Sequence, residues 1–293
     1  MADPGALEQL AERLLRSLDA VLPALGATDW SAPAFRWRKR RVLGVDVGGL
    51  EAVLRVAAIA PEDLFRVDAQ KEAILRNTEQ FVRGLPANNV LLTGARGTGK
   101  SSLVRACLVR FRDRGLRLIE VDKHDLVDLP EITAAVAQRP ERFIVFCDDL
   151  SFEPSDASYK ALKAALDGSL AAAAENLLIY ATSNRRHLMP EYMQENLDAR
   201  YDAEGELHPG ETSEEKISLS ERFGLWLSFH PFRQDDYLDI VGHWLRRFGV
   251  DAAAIEGARE EALQFALGRG SRSGRVALQF ARDFAGRRGL ASP

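Results

Sequence analysis

Asn89-Val90-Leu91-Leu92-Thr93-Gly94-Ala95-Arg96-Gly97-Thr98-Gly99-Lys100-Ser101 opens as a short apolar run, turns through three glycines and closes on a lysine and a hydroxyl. Gly94 to Ser101 matches the phosphate-binding loop pattern at every fixed position, and Ser101 to Arg114 continues with helical spacing. Strand, glycine-rich loop and helix in that order are what phosphate binding needs. Glycines permit the left-handed turns that aim successive backbone N–H groups at phosphate oxygens. The lysine supplies a point charge for β- and γ-phosphates, the serine a hydroxyl for Mg²⁺, and the helix N-terminus a partial positive charge. Gly94, Ala95, Arg96, Gly97, Thr98, Gly99, Lys100, Ser101 and Ser102 are therefore the candidate phosphate contacts.

Outward from this loop, apolar runs recur at Leu116–Val121, Phe143–Cys147 and Leu177–Ala181. Runs of this length are what parallel strands buried on both faces look like. Helical patterns at Leu129–Ala137 and Asp156–Ala173 have the length of crossover connections. An α/β three-layer core with a parallel sheet is predicted. Upstream, Asp68–Arg83 reads as a helix stopped by Gly84 and Pro86. After Pro231 the pattern is helical throughout, over Gln234–Phe248, Asp251–Leu267 and Gly274–Gly286, which predicts an all-α tail of three helices.

Two carboxylates, Asp148 and Asp149, end the strand Phe143–Cys147. A carboxylate beside the phosphate loop holds the magnesium shell, and a second one orients or deprotonates an attacking water. Alone, the pair is also what an ordinary strand end looks like. Asn184, after Ala181-Thr182-Ser183, offers an amide that reaches a γ-phosphate or water, though alone it reads equally as a turn former. Arg222, in Ser220-Glu221-Arg222-Phe223-Gly224, and Arg275, at the start of the last helical segment, would singly be surface charges.

Taken together these pieces resemble the AAA+ superfamily of P-loop ATPases over roughly residues 60–290. Gly94 to Ser101 looks like Walker A, Asp148 and Asp149 like Walker B, Asn184 like sensor 1, Arg222 like the arginine finger and Arg275 like sensor 2. The strings GARGTGKSSLV, RLIEVDK, FCDDLSFE, YATSNRRHLMPE and SRSGRVALQF look like one uncharacterised bacterial branch of predicted ATP-binding proteins. The resemblance implies ATP and Mg²⁺ as ligands, with Ser101 and Asp148 at the metal. It also implies Lys100, Asp149, Asn184, Arg222 and Arg275 in hydrolysis, a homo-oligomer completed by Arg222, and conformational work on a macromolecular partner, protein or nucleic acid. One departure is Asp149 where hydrolysing relatives carry a glutamate. It leaves Glu153 as an alternative water-activating group and a slowly hydrolysing switch or loader as the alternative function. A small-molecule kinase fits the acidic insertion and the separate lid helices less well.

The rest of the chain bounds this reading. A formal net charge of −4 gives no overall attraction to nucleic acid or an anionic membrane, so such a partner needs a local basic patch. The one candidate is Phe35-Arg36-Trp37-Arg38-Lys39-Arg40-Arg41, which reads either as a strand-phosphate contact or as a solvated connector that packs Trp37 on the core and pairs with acids. It is expected to be a junction outside the core. The leucines of residues 5–25 follow helical spacing. Met1-Ala2-Asp3-Pro4 lacks the basic start of a signal peptide, and Asp46, Glu51 and Arg55 interrupt the longest apolar stretch, so a cytoplasmic protein without membrane insertion is expected. Cys107 and Cys147 lie in apolar patterns and read as buried thiols. Between Met189 and Ser218 nine acids outweigh Arg200 and Lys216, and Gly205, Pro209 and Gly210 argue against a continuous helix, so this is an acidic insertion. The expected organisation is an N-terminal helical extension at 1–56, a nucleotide-binding core at 57–231 with the insertion at 189–218, and a helical lid at 232–293.

Overall fold

The structure, a computed structural model, describes residues 28–42, 45–56, 59–152, 156–167, 174–185, 188, 200–201, 207–208 and 219–291. The expected helix over residues 5–25, Glu153 and most of the acidic insertion lie outside the described residues. The first elements among the described residues are a hairpin of β1 (Ala34–Val42) and β2 (Val45–Val53), followed by α1 (Asp68–Val82) and β3 (Val90–Gly94). Then come α2 (Lys100–Phe111), β4 (Leu116–Glu120), α3 (Leu129–Val136), β5 (Arg142–Cys147), α4 (Ala157–Asp167) and β6 (Leu177–Ser183). Within the insertion, β7 (Arg200–Tyr201) pairs antiparallel with β8 (Leu207–His208). β9 (Leu225–Phe229) returns to the core, and α5 (Gln234–Arg247), α6 (Ala252–Gly257), α7 (Arg259–Gly268) and α8 (Gly274–Ala291) complete the chain.

Seven strands form one sheet in the order β2-β1-β4-β5-β6-β3-β9, parallel except for the outermost β2. The apolar runs are continuous because alternate residues face different helical layers. On β5, Ile144 and Phe146 pack with α1 and α2, whereas Phe143, Val145 and Cys147 pack with α3 and α4. The predicted three-layer α/β core is the observed one. The helical tail has its own core, in which Tyr237, Leu245, Ala262, Ala277 and Phe280 are buried together.

Two expectations need correction, and one strand is additional. The basic-aromatic segment is β1 of the sheet, not a junction, so the sheet extends into the stretch assigned to an N-terminal extension. Phe35 and Trp37 are buried on one face, and the Trp37 indole N–H donates to Asp128 at 2.8 Å. Its alternation of aromatic and basic residues is a strand period hidden by charge density. β9, an apolar segment with Trp226 for which no strand is expected, pairs with β3 along its whole length. The helix expected over Asp251–Leu267 is two helices, α6 and α7, which meet at Ala258.

Candidate functional site

The C-terminal ends of β3, β5 and β6 lie side by side in the sheet, and this adjacency assembles the site. At the end of β3 the chain must turn under β9. A Cβ on Gly94 would stand 1.9 Å from the Phe229 carbonyl oxygen, a distance no side chain tolerates, and Gly94 has φ +123°. Gly97, with φ +73°, is closed in from the other side, since a Cβ there would meet Ser273 at 2.7 Å. The lid thus rests directly on the loop, and Gly274 N–H donates to the Gly97 carbonyl at 2.9 Å.

Lys100 opens α2 with only 5% of its surface exposed. Its ammonium donates to the carbonyls of Gly94 at 2.8 Å and Ala95 at 2.7 Å, and to Asn184 Oδ1 at 3.1 Å. Burial holds its pKa below the ordinary lysine value, Asp148 and Asp149 oppose that shift, and Arg96 adds to it. Beside it, Ser101 Oγ donates to Asp148 Oδ1 at 2.6 Å, and the same carboxylate oxygen accepts from Thr182 Oγ1 at 2.5 Å. Asp149 follows in the left-handed region, φ 55°, which is unfavourable for a residue with a Cβ. Its carboxylate accepts from Asn184 Nδ2, so Lys100, Asn184 and Asp149 form one chain of contacts.

These groups line a cavity of about 700 Å³ between core and lid. Arg96 to Ser102, Asp148, Asp149 and Asn184 form its polar wall, and Arg275 of α8 enters from the lid. Leu64, Phe65, Val67, Ile240 and Trp244 form an apolar end. Volume and polarity suit a mononucleotide. The anionic part would meet backbone amides at a helix start and a buried ammonium, and the base would meet aromatic surface. The hydroxyl of Ser101 and the carboxylate of Asp148, already in contact, are the hard oxygen donors that magnesium takes. Among the described residues no cluster of three or more His, Cys, Asp or Glu forms a metal site by itself.

Arg222 lies elsewhere. It sits between the short helical turn at 219–221 and β9, outside the cavity lining, and its guanidinium pairs with Asp167 at the end of α4. The candidate basic patch is also altered by the fold. Arg36 pairs with Glu120 at 2.6 Å, Arg38 with Glu51 at 3.8 Å and Lys39 with Asp128 at 2.9 Å, while Phe35 and Trp37 are buried and unable to stack on bases. Among the described residues these partners lie on β2, on β4 and just before α3. Sequence reading missed Thr182, whose place beside Asn184 in Ala-Thr-Ser-Asn was the available signal. It also missed Asp63, buried under the lid, where it pairs with His243 and Arg247 of α5. No local pattern marks that contact across 180 residues.

The profile of the family described as protein of unknown function DUF815 matches residues 30–288, from just before β1 into α8. The chain belongs to the DUF815 family. No curated protein matches it in sequence. Among solved structures, Aeropyrum pernix Orc1 in complex with DNA is similar to this DUF815 protein with a TM-score of 0.50 and 16% identity, over 78% of this chain and 65% of that one. The HORMA:CdnC:Trip13 complex of E. coli MS115-1 contains a chain that matches with a TM-score of 0.48 and 13% identity, over 78% of this chain and 93% of its own. A Thermotoga maritima RuvB variant matches with a TM-score of 0.47 and 16% identity, over 75% and 62%. The DUF815 chain thus spans less than two thirds of the Orc1 and RuvB chains. At such identities the likeness defines a fold, the AAA+ P-loop core with a helical lid, which agrees with the motif resemblance. No helix among the described residues is long and apolar enough to cross a membrane.

Proposed function

We propose that this DUF815 protein is an AAA+ ATPase that binds Mg-ATP between core and lid and couples binding and hydrolysis to conformational work on a macromolecular partner. The observation that carries this reading is the buried Lys100 ammonium at the start of α2, one wall of a core–lid cavity whose other polar groups are Ser101, Asp148, Asp149, Asn184 and Arg275. Gly94 to Ser102 would hold the phosphates, and Ser101 with Asp148 the metal, which supplies charge neutralisation for the transferred phosphoryl group. Asp149 and Asn184 would orient water, Arg275 would follow the lid, and Arg222 would act on a neighbouring subunit. Calorimetric titration of ATP in the presence of Mg²⁺ tests the reading. Tight binding is expected for the native chain and its loss for Lys100→Ala; unchanged affinity in that variant rules the assignment out.

One observation favours slow turnover. Asp149 is a methylene shorter than glutamate and its carboxylate is engaged by Asn184. An ATP-state switch or loader is therefore the second reading, and steady-state turnover, with and without nucleic acid, separates the two. In the ATPase reading Asp149→Asn retains bound ATP while turnover falls about a hundredfold or more, the range for loss of a general base.

A further inference from the structure

Thr182 joins the Asp148 carboxylate to the Asp149 backbone through one hydroxyl. It is 1% exposed on β6, and its Oγ1 donates to Asp148 Oδ1 at 2.5 Å while accepting from the Asp149 backbone N–H at 2.9 Å. An ionised carboxylate is acceptor-only and an amide N–H donor-only, so both contacts are met by a single hydroxyl orientation. The Thr182 carbonyl accepts from Leu150 N–H at 2.6 Å, so two consecutive amides after β5 are tied to one residue. Between them lies the left-handed backbone of Asp149. A conformation disfavoured for residues with a Cβ persists only where surrounding contacts over-determine it. Here they are Thr182 on the amides and Asn184 on the carboxylate.

We infer that Thr182 is a positioning residue: it fixes the Asp148 carboxylate against Ser101 and clamps Asp149 in the backbone conformation that points its carboxylate at Asn184. This rests on the nucleotide-site reading for its consequence, but the clamp itself is a property of the chain. Valine is the isosteric control, because it keeps the branched shape and removes both hydrogen bonds, and serine restores the hydroxyl.

The test has two arms on the full chain. In the first, without nucleotide, hydrogen exchange at the Asp149 amide is expected to speed up about tenfold in Thr182→Val relative to the native chain and to return toward native in Thr182→Ser, with the Leu150 amide, held by the main-chain carbonyl that valine keeps, as the internal reference. In the second, Thr182→Val is expected to lower kcat by about tenfold to a hundredfold and to raise the Mg²⁺ concentration needed for half-maximal activity, with KM for ATP within about threefold, the pattern of a lost outer partner to a metal-ligating carboxylate. Thr182→Ser recovers most of both. Should Thr182→Val not fold, Thr182→Ala carries the same expectations. Native exchange, turnover and Mg²⁺ response in the hydroxyl-free variant overturn the inference, as does a serine variant as impaired as valine. A native chain that binds no ATP overturns the nucleotide reading instead, while the exchange arm still decides whether the clamp exists.

Discussion

Lys100 illustrates how a residue proposed to bind phosphate weakens the protein that carries it. Its ammonium is buried, and burial holds its folded-state pKa below the unfolded value of 10.5. For a lysine shifted in this direction the charged form is the disfavoured one in the folded state. The resulting loss of stability is complete below the folded pKa and is relieved as pH rises through the folded pKa toward 10.5. The unliganded Lys100→Met protein is therefore expected to melt no lower than the native chain at neutral pH, with the difference shrinking as pH rises; calorimetric scans at several pH values check it. A lower melting temperature at neutral pH would mean that the contacts with Gly94, Ala95 and Asn184 outweigh the burial of charge. The cysteines behave in a simpler way. Burial pushes the thiols of Cys107 and Cys147 up to about 12, so both are protonated at pH 8. A thiol reagent should find neither in the native protein and both after denaturation.

At the scale of elements, Trp37 is the largest side chain that packs the β1–β2 hairpin on the core. Trp37 packs in the core, and a Cβ on Gly48 of the opposing strand would fall 2.1 Å from its ring. Trp37→Ala is expected to lower stability by about 3–5 kcal/mol, the range for deleting a buried aromatic, as read from denaturant unfolding. A loss below about 1 kcal/mol would mean that the hairpin is not part of the cooperative core. A second device joins core to lid. Asp63 accepts from His243 and Arg247, Phe65 stacks on His243 with ring centres 4.1 Å apart, and Arg66 pairs with Asp236 and Asp239. Five contacts from one short segment thus fall on α5. Asp63→Ala should quicken amide exchange in α5 while leaving β3 and β5 unchanged, since the strands have their own core. Equal changes in both would make the lid and sheet one unfolding unit.

The whole molecule raises the question of assembly. Arg222 lies outside the lining of its own chain's cavity and is paired with Asp167. A guanidinium offered across an interface stabilises charge developing on a γ-phosphate, whereas the pair with Asp167 is a partly exposed ion pair of small worth to the isolated chain. In the proposed trans role, turnover rises more than linearly with protein concentration, and Arg222→Ala loses hydrolysis while retaining ATP. Mixing Lys100→Ala with Arg222→Ala should partly restore activity, because one kind of junction then joins an intact loop to an intact arginine. Activity strictly proportional to concentration, with no ATP-dependent oligomer in sedimentation, removes Arg222 from the site.

The phosphate loop, the carboxylates after β5 and the central parallel strands were legible in the sequence because each depends on neighbours a few residues away. A glycine spacing fixes a turn, and a run such as Phe143–Cys147 has nowhere to go but between two layers. What the chain could not reveal locally was set by contacts far apart in sequence. Whether Phe35 and Trp37 meet water or core depends on β4 and Asp128, residues more than eighty positions away. The strand at 225–229 becomes one only because β3 offers it a free edge. Thr182 gains its role only when β6 lies beside β5, since its hydroxyl reaches Asp148 and Asp149 across strands rather than along one. Local periodicity determines which segments become elements, but the partner of a side chain is chosen by packing, and packing is a property of the folded whole.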